Sequence, residues 1–280
     1  MKKALTILSA AALLFVGCDK IASDEYTVYD GASVVWASSA HTVNPVQRAY
    51  VEKYTGPKCN NCPSADVTLD AAHDMYGDRL VTVSINHPVG MGVPFPGQPD
   101  MRTAGGTVWD QFFGINAIPA AYLNRDRSVQ YLGEMSNITA AIGTTLQESP
   151  EIGLELSALT QNDDIVITVN LSFTKEHNIP LTLTVALIED SLTYIQLNGN
   201  DIDSNYVHNH MLRKVITSYW GADVKSTGKA GEDIAGFLYC KIPDDVKMEN
   251  SHIVAFISDK SSKRVLNSAS CKITTEEEYE

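Results

Sequence analysis

Thr55-Gly56-Pro57-Lys58-Cys59-Asn60-Asn61-Cys62-Pro63 places two cysteines two residues apart at the junction of two different patterns. Before it, over 46–55, Ala49, Val51 and Tyr54 belong to an apolar-alternating run. After it, over 64–77, Ala65, Leu69, Ala72 and Tyr76 recur at helical spacing until Gly77. The reading is strand, turn, Cys-x-x-Cys, helix. A helix N-terminus presents unpaired N–H groups and a partial positive charge, which stabilise an anion. A thiolate at Cys59 is expected in that field, with Lys58 adding positive charge beside it. The thiolate is the nucleophile of disulfide exchange, and a cysteine so placed ionises below the free value of about 8.5. Cys62 is near enough to close a small disulfide with Cys59, and Pro63 falls in the first turn, where a missing N–H costs little. Two other readings of the pair stand beside the redox dithiol. One is a structural disulfide; the other is half a zinc site, for which His73 and His87 are the sequence-near ligands.

The 280 residues are 44% hydrophobic and 20% charged, an ordinary globular composition with length for two domains. A net charge of -13 argues against nucleic acid, whose phosphates need clustered Lys and Arg. Residues 1–17 read as a leader: Lys2 and Lys3, then an apolar stretch over 4–16 too short to span a bilayer comfortably. Leu14-Phe15-Val16-Gly17-Cys18 resembles a bacterial lipoprotein box, in which Cys18 carries the lipid and anchors the chain without spanning the membrane. With Cys18 lipidated, Cys59 and Cys62 pair locally. Cys240 and Cys271 are left as a possible structural disulfide or as two buried free thiols.

Between the leader and the cysteine turn, 18–40 reads as a tether with a short strand. Residues 80–85 alternate as a central strand does, and His87-Pro88 opens a long Pro- and Gly-rich loop over 88–106, able to cover the site but carrying no named chemistry. Trp109, Phe112 and Phe113 follow at helical spacing, as core or as the wall of a substrate groove. Ile118-Pro119 precedes another strand-like run, and 136–147 reads as a closing helix. After Ser149-Pro150 the grammar changes to short β-prone runs at 151–159, 163–173, 181–189, 206–217, 234–242, 252–258 and 264–273. Runs of that kind, separated by turn signals, suggest a β-sandwich. His208 and His210 alternate within one of them. Two imidazoles at that spacing can bind metal, but solvent-facing residues are the expectation, and neither metal nor cofactor is expected here. Residues 276–280 form an acidic tail.

The region 41–148 resembles the thioredoxin superfamily, on Cys59-Asn60-Asn61-Cys62 between strand and helix and on Ile118-Pro119 before a strand. That resemblance implies a cis Pro119 beside the cysteines. Two positions depart from it: Lys58 stands where an aromatic residue usually precedes the first cysteine, and Lys53 stands where the family keeps a buried acid. The whole chain resembles the outer-membrane-protein-28-related lipoproteins of the Bacteroidetes. The residues that carry this are 52–56 with Cys59 and Cys62-Pro63, then Tyr206-Val207-His208-Asn209-His210-Met211-Leu212-Arg213, and Val265-Leu266-Asn267.

The expected fold is therefore an α/β thioredoxin-like domain over 41–148 followed by an all-β, immunoglobulin-like sandwich over 149–275. The expected activity is thiol–disulfide exchange with a protein disulfide or dithiol substrate, outside the cytoplasm, by a chain held on the outer membrane through its N-terminal lipid. Cys59, Cys62 and Pro119 would form the site, with electrostatic support from Lys58. The alternative is a surface lipoprotein for binding or adhesion, with a structural disulfide.

Overall fold

The alternating runs become strands and the runs of helical spacing become helices. The computed structural model describes residues 31–275. It opens with β1 (Val35–Ser38), β2 (Ala49–Thr55), α1 (Cys62–Tyr76), β3 (Leu80–Asn86), α2 (Ala104–Phe113), β4 (Ala120–Leu123), β5 (Tyr131–Leu132) and α3 (Ile138–Thr145). Strands then dominate: β6 (Ile152–Gln161), β7 (Asp164–Phe173), β8 (Leu181–Glu189), β9 (Leu192–Asn198), β10 (Asp201–His208), β11 (Met211–Val215), β12 (Ala222–Asp223), β13 (Asp233–Lys241), β14 (Ser251–Asp259) and β15 (Val265–Thr274). The leader, Cys18 and the acidic tail lie outside the described residues.

Among the described residues, thirteen strands join in one mixed sheet, and β9 and β10 form a separate antiparallel hairpin. Strands β2 and β3 run parallel, as a helical crossover through α1 requires. Every residue of both strands is buried, because helices and strands cover both faces. Ala49 and Val51 face Ala65, Leu69 and Ala72 of α1 and Ile138 and Ile142 of α3. Tyr50 and Tyr54 face the other way, toward Trp109 and Phe113 of α2. Helix α2 starts at Thr103, whose hydroxyl accepts from Gly106 N (3.0 Å), and ends at Gly114 in the left-handed region. It lies close on the sheet because Gly105 has no side chain: a Cβ there would stand 2.4 Å from Val215 Cγ2.

The expected pair of folds is not what forms. Strand β3 pairs with β11, Met211 opposite Ser84, and Ser84 N donates to His210 O (2.7 Å), so the sheet runs unbroken from the first region into the second. Ile188, Leu212, Val254 and Phe256 from the later strands share one apolar cluster with Tyr50, Tyr54 and Trp109. This mostly β chain with one large sheet replaces the α/β thioredoxin-like domain and the independent immunoglobulin-like domain. One apolar cluster crosses the change of pattern near Pro150, while a second lies within 152–269 and a third within 49–146. The later strands do enclose a sandwich-like interior. Strand β15 pairs with β14 along most of its length and with β6 at Ile273 and Thr274, folding the sheet over a second cluster that includes Leu154, Ile167, Val185 and Ile253.

At the centre of the first cluster lies a buried ion pair. Glu52, 0% exposed, accepts from Arg125 Nε (2.5 Å), from the Tyr50 hydroxyl (3.0 Å) and from the Tyr54 hydroxyl. The Arg125 guanidinium carbon lies 4.4 Å from the Trp109 ring centre and 4.7 Å from that of Phe256, and Nη2 has no hydrogen-bond acceptor among the described residues. Aromatic faces receive the charge that hydrogen bonds do not. Truncating one member strands the other in an apolar core, so Arg125→Ala is expected to cost about 3–5 kcal/mol. Urea denaturation checks this, and the double variant Glu52→Gln/Arg125→Met should recover most of the loss. Because the core is shared, the described region should unfold in a single transition.

Candidate functional site: a covered disulfide

Chain geometry around Gly56 brings the cysteines together. Cys59 N donates to Gly56 O (3.0 Å) and Cys62 N to Cys59 O (3.3 Å), closing a tight turn into α1, whose first residue is Cys62. Cys59 and Cys62 form a disulfide with their Cα atoms 5.4 Å apart. Gly56 is required by close packing: a Cβ there would lie 2.5 Å from Met91 O. Lys58 N donates to that same carbonyl (3.0 Å), so the 88–106 loop is pinned against the turn.

The hairpin of β9 and β10 docks on the other side. Leu197 N donates to Pro57 O (2.8 Å) and Gly199 N to Asn60 O (2.9 Å). The buried Gln196 amide donates to Cys59 O (2.8 Å) and Gly56 O (3.3 Å). Ile195 N reaches Gln98 Oε1 (3.2 Å), and the Tyr206 hydroxyl donates to Asp66 Oδ2 on α1 (2.8 Å). Cys59 and Cys62 are each 1% exposed.

The other expected site residues are distributed as follows. Ile118–Pro119 is cis; Pro119 is buried, and its neighbours Ile118 and Ala120 belong to the same apolar cluster as both cysteines. Lys58 places its ammonium 5.4 Å from the Phe95 ring centre, and with the sulfurs bonded to each other there is no thiolate for it to support. Lys53 pairs with Asp66 of α1 on one side of β2, whereas Glu52 turns to the cluster that holds the cysteines but is committed to Arg125. The half zinc site is not assembled in this structure: Cys59 and Cys62 are bonded to each other, His87 Nδ1 lies 2.7 Å from Asp110 Oδ2, and His73 Nε2 lies 2.9 Å from Thr82 Oγ1. Trp109 and Phe113 are core residues, and Trp109 Nε1 donates to Tyr219 O (2.7 Å). Cys240 and Cys271 are free thiols on β13 and β15, with β7 and β6 between those strands in the sheet order. Burial pushes the Cys240 thiol up and the Cys271 thiol to about 12, so neither is a ready nucleophile.

The expected solvent-facing histidines are also placed differently. His208 is buried and stacked on Tyr194 (3.6 Å between ring centres), and burial lowers it to about 4. His210, at φ 60, turns away to join Asp190 and His252. Burial, then the adjacent His73, pushes His210 down to about 3. Burial works to raise the Asp190 carboxyl, but its contacts with His252 and His210 outweigh it and hold the group at about 2.

The sequence also carries a signal for the β9–β10 hairpin: Thr193-Tyr194-Ile195-Gln196-Leu197 is β-prone, and Gly199-Asn200 is a two-residue turn signal, with Asn198 paired to Asp201 across it. Away from the disulfide, and sharing no residue with its turn, a cleft of about 500 Å³ is lined by Trp36, Trp220, Asp223, Lys225, Lys260 and Lys263, among others.

Several solved structures resemble this one. HBP35 of Porphyromonas gingivalis superposes with a TM-score of 0.66 at 15% identity, covering 83% of this chain and 77% of that one. A protein from Agrobacterium tumefaciens reaches 0.52 at 15% identity, covering 81% and 95%. These two likenesses concern fold alone. A domain of the outer membrane lipoprotein Omp28 from Porphyromonas gingivalis gives only 0.33 at 21% identity, covering 45% and 90%, too little overlap to argue from. No curated protein matches the chain. The family of outer membrane protein Omp28 matches residues 107–277, a span that takes in the docking hairpin but not Cys59 or Cys62. That match exceeds half of the sequence: the chain belongs to the outer membrane protein Omp28 family and is a cell-envelope protein associated with the outer membrane.

Proposed function

We propose that this is a lipid-anchored outer-membrane protein of the binding class, tethered through Cys18, in which the Cys59–Cys62 disulfide is a structural staple. One observation carries the reading: both cysteines are closed off under a hairpin whose backbone and Gln196 are bonded to the turn itself. Thiol–disulfide exchange needs an incoming sulfur in line with the bond it attacks, and there is no approach while the hairpin is seated. The cleft supports the binding half of the proposal. Two indole rings with the ammonium groups of Lys225 and Lys263, Lys260 being paired with Asp223 (2.6 Å), suit a ligand with an apolar face and an anionic group.

The redox reading is the second use of the same residues, favoured only by the placing of Cys59, Cys62 and the cis Pro119 in one apolar neighbourhood. It requires the hairpin to lift. Reduced Cys59 would then attack a substrate disulfide and release one substrate thiol; Cys62 would attack the mixed disulfide, releasing the second and re-forming Cys59–Cys62. Insulin reduction decides between the two uses: the wild type is expected to show no more activity than Cys59→Ser, and clear activity above that variant would reverse the assignment.

Three outcomes follow from the structural reading. In native buffer with reductant, Cys59 and Cys62 should become alkylatable no faster than the chain unfolds, while the Cys59→Ser/Cys62→Ser variant should lose about 2 kcal/mol in urea denaturation, the entropy of so short a loop. Gln196→Ala removes donors from two buried carbonyls and should cost about 1–3 kcal/mol while accelerating reduction of the disulfide. Cys18→Ser should move the protein from the membrane fraction to the soluble fraction, since the lipid on Cys18 is the proposed anchor.

A further inference from the structure

Where the two regions meet, three elements converge polar side chains on one point. Asp190 follows β8, His210 lies in the turn between β10 and β11, and His252 is near the start of β14. Their ligand-capable atoms all lie within 4.8 Å of one another. His210 Nδ1 stands 3.4 Å from Asp190 Oδ1, and His252 Nδ1 stands 3.2 Å from Asp190 Oδ2. Those separations are longer than a tight ion-pair hydrogen bond of about 2.7–2.9 Å. Each is near the spacing of about 3.3–3.4 Å between donor atoms that share an ion at about 2.0–2.1 Å, with one imidazole beside each carboxylate oxygen.

The surroundings hold the three groups in place. His210 N donates to Asp190 Oδ1 (2.6 Å), fixing the carboxylate. His73 from α1 stacks on the His210 ring at 4.6 Å, with its Nε2 2.9 Å from Thr82 Oγ1. The His252 ring stands nearly perpendicular to that of His210, at 81°. Such supports orient metal ligands. The side chains of Asp190 and His210 remain 33% and 25% exposed, leaving a way in for an ion and room for water beside it.

We propose that Asp190, His210 and His252 form a binding site for one divalent first-row transition-metal ion of the zinc class, completed by water. Two imidazoles and a carboxylate are the donor set such ions favour. Strands β8, β11 and β14 are neighbours in the sheet, and β11 also pairs with β3, so the ion would fasten the junction of the two regions.

The test uses the full-length protein purified without a polyhistidine tag, titrated with Zn²⁺ by calorimetry and with Co²⁺ by visible absorption. Saturable uptake of one ion per chain is expected, with cobalt bands in the visible region. His252→Ala and Asp190→Ala should each weaken uptake by about tenfold or more, while His87→Ala, which disrupts a histidine–aspartate pair elsewhere, should not change it. Should a cluster variant fail to fold, the wild type alone decides: bound Zn²⁺ must shield His210 and His252 from carbethoxylation, read by mass spectrometry. Absence of saturable uptake of either ion, uptake unaltered in both cluster variants, or full carbethoxylation under Zn²⁺ would overturn the assignment.

Discussion

A glutamate and an arginine meet in the apolar centre of the molecule, and much of the architecture is arranged around making that tolerable. Removing Glu52 and Arg125 from water is expensive, and attraction between them offsets the cost only if their remaining hydrogen-bonding capacity is met. Four elements contribute. Strand β2 supplies Glu52 and the hydroxyls of Tyr50 and Tyr54; the turn after β4 supplies Arg125; α2 supplies the Trp109 face; β14 supplies Phe256. Phe256 comes from the late, β-rich part of the chain, so the charge of the early part is accommodated only when the late part is folded against it. Asn124 reinforces the same join: its side chain accepts from Tyr50 N, and its carbonyl accepts from Val265 N at the start of β15.

The disulfide obeys the same logic of one region completing the other. Its turn is made by local sequence, but the groups that close over it are Gln196, Leu197 and Gly199. A Cys-x-x-Cys at the start of a helix has the electrostatics for exchange chemistry. Electrostatics act on a substrate only where a substrate can reach, and here the carbonyls of Gly56, Pro57, Cys59 and Asn60 already accept from the hairpin. In the proposed structural role, packing rather than a missing residue keeps the motif from exchange chemistry.

The histidines illustrate how far a single dihedral can redirect a pattern. His208 and His210 sit at a spacing that places both side chains on one face of a continuous strand. The strand instead ends at His208, and the positive φ at His210 sends its imidazole toward Asp190 and His252, while His208 stacks on Tyr194. Neither partner is near in sequence, since Asp190 and His252 belong to β8 and β14 ends that the sheet order alone brings alongside.

Sequence by itself determined the local grammar. Alternation at 181–189 and 252–258 specifies strands because side chains in a strand change face at every residue; Pro63 and Gly77 bracket a helix because each removes or permits one backbone state. The cysteine spacing, three positions along the chain, likewise allows a local disulfide but does not choose between it and half a zinc site. What only tertiary structure decided was which faces meet: that β3 accepts β11 and makes one sheet of two apparent domains, that Glu52 is claimed by Arg125, that Cys240 and Cys271 stay apart, and that a hairpin covers the cysteines. The contacts among them join residues from 73 positions apart (Glu52 and Arg125) to 137 apart (Cys59 and Gln196), and their free energies come from shape and burial in three dimensions that leave no periodic trace along the chain.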